Sequence, residues 1–181
     1  RRHDPDALRA LAAAVGLLVV DESFADPYPE LSLAPAMPEN AVVLRSFGKF
    51  YGLAGMRLGF ALARTNRAAR IAEFAGPWAV SGPAIAIGRA ALADRDWARR
   101  TSARLAAGAL RLDAAAERAG WRTLGGTSLF RLYETGDAEA AQVRLAQACI
   151  WSRRFPYACG WLRLGLPGPE ADWRRLEAAL S

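Results

Sequence analysis

Ser46-Phe47-Gly48-Lys49-Phe50-Tyr51-Gly52-Leu53-Ala54-Gly55-Met56-Arg57-Leu58-Gly59 is the stretch on which the reading of this 181-residue chain turns. Lys49 is the only lysine, the other 23 of the 24 lysines and arginines being arginine. Arginine serves a protein surface as well as lysine does, but it cannot shed its proton to become a neutral amine nucleophile. Lys49 is therefore a candidate for chemistry. Just upstream, Ala41-Val42-Val43-Leu44 is a short apolar run that leads into Ser46, and Leu17-Leu18-Val19-Val20 is a second one that ends at Asp21-Glu22. Both have the pattern of parallel strands buried on both faces. Ligands of open α/β sheets collect beyond the carboxyl ends of such strands, so Asp21 and residues 46–49 are expected to face one crevice.

Outward from this centre the chain punctuates itself. Asp4-Pro5 reads as a helix cap and first helical position, and the alanine- and leucine-rich run behind it stops at Gly16. Pro27, Pro29, Pro35 and Pro38 make residues 25–40 a loop, and residues 58–63 form a further strand. Residues 68–74 and 84–92 are helical, Asp94 caps a long helix that runs to Ala119, and Gly120 stops it. Beyond lie strands at 121–124 and 129–133, a helix at 138–149, strands near 150–153 and 161–166, and a final helix from Glu170 to Leu180. That second part is a small α+β unit. The boundary falls inside the long helix, giving domains 1–105 and 106–181.

Composition narrows the function classes. With 52% hydrophobic and 23% charged residues the chain buries a core and is not disordered. No run approaches the roughly 18 apolar residues of a membrane span, and the first residues lack the apolar stretch of a secretion signal, so a cytoplasmic protein without a membrane partner is expected. The net charge of +6 is spread over amphipathic segments and carries no nucleic-acid motif. Cys149 and Cys159 form neither a CxxC pair nor a disulfide framework, and are expected to be buried, reduced thiols with no metal. His3, the sole histidine, stands in a helix lead-in and takes no catalytic role.

Residues 46–59 resemble the lysine signature of class I/II aminotransferases, closest to the histidinol-phosphate aminotransferase branch. A lone Ser-x-x-Lys would be noise, but here the serine, the Gly-Leu-Ala-Gly run and Arg57 coincide with an aspartate on the preceding strand. The resemblance implies the pyridoxal-phosphate fold type I: an α/β large domain, here partial, with a mostly parallel sheet and helices, followed by a small α+β C-terminal domain. It implies pyridoxal 5′-phosphate as cofactor, Lys49 as the Schiff-base lysine and later proton carrier, Ser46 and Arg57 on the cofactor phosphate, and Asp21 beneath the pyridinium nitrogen. Each role has a plain competitor: Asp21 as a turn cap, Arg57 in a surface ion pair, Lys49 merely solvated.

One departure refines the likeness. Most members of that branch have a tyrosine three residues after the strand aspartate, and here it is Phe24. Asp21-Glu22-Ser23-Phe24-Ala25-Asp26, Leu44-Arg45-Ser46-Phe47-Gly48-Lys49-Phe50 and Gly76-Pro77-Trp78-Ala79-Val80-Ser81-Gly82-Pro83 are similar to the threonine-phosphate decarboxylases of cobalamin biosynthesis, essentially end to end. That family removes CO2 from L-threonine O-3-phosphate. By this resemblance Arg163, and Arg153 with Arg154 as its adjacent competitor, face a phosphorylated amino-acid substrate. A homodimer is implied for the full-length protein. The family's glycine-containing phosphate loop, ring-stacking aromatic and Asn-Pro motif are not in this sequence, and Arg1 falls just after the place of that Asn-Pro. A truncated product or partial sequence is expected, inactive by itself. The alternatives are an aminotransferase of the histidinol-phosphate type and a non-catalytic remnant.

Overall fold

The computed structural model describes residues 2–181; Arg1, which the resemblance sets just after an Asn-Pro motif, lies outside the described residues. Contacts divide these residues into two compact units, 2–98 and 99–181. The division falls within one long helix, nearer its start than the 105/106 boundary read from the sequence.

In the 2–98 unit, Asp4 accepts a hydrogen bond from the Asp6 amide at 2.8 Å and Pro5 opens helix α1 (Pro5–Ala13). Strand β1 (Leu18–Asp21) pairs in parallel with β2 (Ala41–Ser46), Leu18 opposite Ala41. The proline-rich connection between them is a loop with two short 3-10 turns, Pro29–Leu31 and Ala34–Ala36. Strand β3 (Gly59–Ala63) returns antiparallel to β2, so the order β1-β2-β3 is mixed. Helices α2 (Thr65–Ala75) and α3 (Gly82–Ala93) follow, and then the first turn of α4 (Arg95–Arg118), where Asp94 Oδ1 accepts from the Trp97 amide at 2.9 Å.

Leu18, Ala41 and Val43 share one face of this sheet and bury themselves with Ala12 of α1 and Leu33 of the loop. The opposite face is less covered. Val19 is 54% exposed, so the expectation of a β1 buried on both faces is corrected. Strand periodicity cannot tell whether the second face has a neighbour, and among the described residues nothing closes over Val19.

The 99–181 unit holds the rest of α4, β4 (Arg122–Thr127), β5 (Phe130–Glu134), α5 (Ala138–Gln147), β6 (Arg153–Phe155), β7 (Ala158–Gly165) and α6 (Glu170–Leu180). The sheet is antiparallel throughout, in the order β4-β5-β7-β6. Leu112, Trp121, Tyr133, Leu145, Leu162, Trp173 and Leu176 form its core. Inside it, the Arg131 guanidinium forks onto Asp113 at 2.9 and 2.7 Å and the Tyr133 hydroxyl donates to Asp113 Oδ1 at 2.8 Å.

Two helices of this unit end alike. After α4, Gly120 at φ +78° lets its own amide reach Glu117 O and the Trp121 amide reach Ala116 O, both at 2.9 Å. After α5, Cys149 at φ +57° does the same toward Ala146 O, and the Ile150 amide toward Leu145 O, again at 2.9 Å. Such left-handed closures satisfy the last carbonyls of a helix. This wrap occupies residues 148–150 and delays β6 to Arg153, later than the sequence pattern placed it. It also turns Cys149 outward; both cysteines are free and exposed, which corrects the expectation that they are buried. Among the described residues no helix is long and apolar enough to cross a membrane.

Candidate active site

Asp21 closes β1 and stands opposite Leu44 of β2; Ser46, two residues on, shares that face of the sheet. Asp21 Oδ1 accepts from the Ser23 amide at 2.9 Å and from the Ser23 hydroxyl, as a turn cap would. Its Oδ2 has no hydrogen-bond partner among the described residues.

Past Ser46 the chain folds back on itself. The Leu53 amide reaches Phe47 O at 2.9 Å and the Gly52 amide reaches Lys49 O at 3.1 Å, with Gly52 at φ +68°. Phe47 and Phe50 are buried on either side of Lys49, Phe47 stacks on Tyr51 with ring centroids 4.4 Å apart, and Tyr51 stacks on Trp97 at 5.6 Å. An aromatic hub thus fixes the turn and leaves Lys49 exposed at its tip. The Lys49 Nζ lies 5.5 Å from the centroid of the Phe24 ring and makes no ion pair among the described residues.

The returning strand brings Arg57 to the same place. The Phe47 amide donates to Leu58 O at 3.1 Å and Ser46 pairs with Gly59, so Arg57 comes alongside the end of β2. A Cβ on Gly88 would stand 2.5 Å from Leu58 Cδ2, so α3 comes close to this segment there. Arg57 takes the left-handed conformation at φ +51° and is exposed. Its Nη1 donates to Ala54 O at 3.3 Å, and it has no carboxylate partner among the described residues, unlike an ordinary surface ion pair. Asp21, Ser46, Lys49 and Arg57 are accordingly gathered at one set of strand ends.

Arg153 and Arg163 lie in the other unit and are brought to each other: they are directly paired across β6 and β7. Both line a cleft of about 830 Å³ together with Ser152, Arg154 and Cys159. The Arg163 guanidinium sits 5.0 Å from the Phe130 ring centroid, and burial, then the like charge of Arg153, hold its pKa below the ordinary value. Neither arginine has a carboxylate partner among the described residues. Arg154 is different: it is paired with Glu139 at 2.8 Å.

Sequence reasoning missed a buried group beside the strand ends. Arg45 Nη1 donates to Glu22 Oε2 at 3.0 Å and Nη2 donates to Asp26 Oδ1. Burial pulls the Arg45 pKa down, but the bonds and charges of Asp26 and Glu22 outweigh it and leave it raised. Tyr51, which neighbours this group, has its phenol pKa raised by burial and then by the Asp26 charge. Partners 19 and 23 residues apart leave no local pattern in a sequence.

A lysine on an aromatic-anchored turn, flanked by a strand-end aspartate, a serine and an arginine, defines a class. The chain matches the aminotransferase class I and II family over residues 3–180 and belongs to it. It is 46% identical to a threonine-phosphate decarboxylase of Sinorhizobium sp over 98% of this chain and 54% of that protein. It is 45% identical to the threonine-phosphate decarboxylase of Pseudomonas aeruginosa over 91% of this chain and 50% of that one. A solved structure of histidinol-phosphate aminotransferase from Sinorhizobium meliloti, in complex with pyridoxal-5′-phosphate, superposes with a TM-score of 0.88 at 27% identity, covering 98% of this chain and 52% of that one. The chain has the α/β fold expected from the signature, and spans about half the length of the curated relatives it matches.

Proposed function

We propose that this chain is the lysine-bearing part of a pyridoxal-phosphate-dependent decarboxylase that converts L-threonine O-3-phosphate to aminopropanol phosphate and CO2 in cobalamin biosynthesis. The observation that carries the reading is the 46% identity to a threonine-phosphate decarboxylase across 98% of the chain. The same reading takes the complete protein as a cytoplasmic homodimer.

The residues present fit the cofactor. Lys49 offers an exposed amine with no carboxylate to neutralise it, Ser46 and Arg57 offer a hydroxyl and a planar fork suited to a phosphate, and Asp21 keeps one carboxylate oxygen free. When bound, pyridoxal phosphate supplies a pyridinium ring that draws electrons away from the bond broken at the substrate's Cα. Asp21 would supply the negative charge that keeps the ring nitrogen protonated. Lys49 would hold the cofactor through its amine and would afterwards carry a proton to Cα on the same Nζ. Arg163 and Arg153 hold the anionic ends of the substrate by charge-assisted bonds and so orient it. Orientation selects which Cα bond breaks.

A second reading, an aminotransferase of the histidinol-phosphate type, is favoured by the likeness to the Sinorhizobium meliloti structure. A non-catalytic remnant is the third. One assay separates them: the complete gene product, incubated with cofactor and threonine phosphate, is expected to release CO2 and to carry a borohydride-fixed pyridoxyl group on Lys49. Keto-acid formation without CO2 selects the aminotransferase, and labelling confined to the N-terminal amine removes Lys49 from its role.

A further inference from the structure

Three ionisable groups, Glu22 buried and Asp26 and Arg45 half-buried, cluster next to the strand ends and take no part in the chemistry just described. Glu22 is 4% exposed, the Asp26 side chain 10% and the Arg45 side chain 24%. Buried charges are costly, and an apolar cluster of similar volume would often serve stability as well. This cluster is not even fully compensated, since Asp26 Oδ2 is buried with no hydrogen-bond partner among the described residues. Where its members attach suggests what it is for.

Glu22 follows Asp21 directly, Asp26 stands two residues beyond Phe24, and Arg45 immediately precedes Ser46 on the strand that leads to Lys49. The backbone ladder between β1 and β2 ends with the Glu22 amide on Leu44 O at 2.9 Å. After that the chain bonds locally, the Ala25 amide to Glu22 O at 2.9 Å and the Ser23 amide to Asp21 Oδ1 at 2.9 Å. Arg45 takes over where the ladder stops. Its fork grips Glu22 on one side of Ser23-Phe24-Ala25 and Asp26 on the other. Glu22 is in turn fixed to the core, accepting from the Leu33 amide and the Ser32 hydroxyl, each at 2.7 Å, with Leu33 fully buried.

We infer that Arg45, clamped between Glu22 and Asp26, is a positioning residue that sets where Asp21 and the Phe24 ring stand relative to Lys49. The inference rests on the roles proposed above for Asp21 and Lys49. It makes the planar guanidinium, and not its charge alone, the functional element, because a lysine ammonium is a point charge on a flexible stem and lacks the rigid pair of donors that fixes the two carboxylates relative to each other.

The test compares the complete gene product with Arg45→Lys and with the neutral triple variant Glu22→Gln/Asp26→Asn/Arg45→Met, which leaves no unpaired buried charge. Both are expected to lower kcat by about 10- to 100-fold, the scale of an ångström-sized misplacement, while KM for threonine phosphate stays within about twofold. Two readouts besides activity accompany this: faster amide exchange over residues 23–26, and a shifted pH midpoint of the bound cofactor's absorbance. A parent-like kcat in the triple variant overturns the inference, and so does a loss of kcat that only follows the fraction unfolded and is recovered by cooling. Should the parent itself release no CO2 and take no label at Lys49, the proposed function fails instead. Amide exchange then still judges the clamp, and unchanged exchange over residues 23–26 in both variants overturns it.

Discussion

Cys149→Gly is expected to stabilise the 99–181 unit, and Gly120→Ala to destabilise it, through the same backbone conformation. The two residues occupy equivalent places after α5 and α4, at φ +57° and +78°, and each closes its helix with the same pair of bonds. An L-residue in the left-handed region costs about 1–2 kcal/mol from the approach of Cβ to the carbonyl oxygen. Glycine escapes this but gives the unfolded chain more freedom, which returns about 0.4–1 kcal/mol. The net gain for Cys149→Gly is therefore about 0.5–1 kcal/mol. No packing is lost, because Cys149 is exposed and unbonded. At Gly120 a new Cβ would meet no atom within 4 Å, so the loss there is also purely conformational and of about the same size. Thermal melts in reducing buffer should show opposite displacements, with about 2–4 °C corresponding to each kcal/mol in a chain of this length. A Cys149→Gly melt at or below the parent's, with Gly120→Ala behaving as stated, would refute the assignment of strain to Cys149.

The remaining expectations concern the site and the core. Asp21→Asn in the complete gene product should lower turnover by a factor on the order of 10² while cofactor occupancy, read by absorbance after dialysis, changes little, since the phosphate contacts proposed for Ser46 and Arg57 are untouched; an unimpaired turnover removes Asp21 from its proposed role. Arg163→Lys keeps the charge but loses the fork, and should reduce kcat/KM on threonine phosphate by the equivalent of about 1.5–3 kcal/mol; kinetics indistinguishable from the parent's would make Arg163 scaffold only. Tyr133→Phe deletes the 2.8 Å bond to Asp113, whose carboxylate keeps the Arg131 fork, so urea unfolding should register a loss of only about 1–2 kcal/mol; a superimposable curve would show that the bond contributes nothing net.

What the sequence made legible was local in origin. Asp4 and Asp94 announce helix starts because an N-cap bonds an amide two or three residues away, and both do so here at 2.8 and 2.9 Å. The final helix runs Glu170–Leu180 as expected, its apolar positions recurring at helical spacing. Residues 46–59 carried the candidate site because the turn, the strand end and the returning arginine all lie within one short segment. The Arg45 clamp escaped notice since its carboxylates are brought to it by the β1–β2 pairing, not by spacing. The exposure of Val19 and of both cysteines was likewise invisible, as it depends on which faces have neighbours. The start of β6 was displaced by the way α5 terminates, a feature that a cysteine in a position usually held by glycine conceals.

Arg153 and Arg163 face each other across β6 and β7 with no carboxylate between them among the described residues, so this ladder is closed against its own electrostatic repulsion. Any small oxyanion that settles there relieves it. Phosphate and sulfate buffers are therefore expected to act as unintended ligands, raising the apparent melting temperature by mass action and competing with the anionic substrate proposed for the same two guanidinium groups. The choice of buffer becomes an experimental variable in its own right, and affinities from different laboratories will agree only when the oxyanion and the ionic strength are matched.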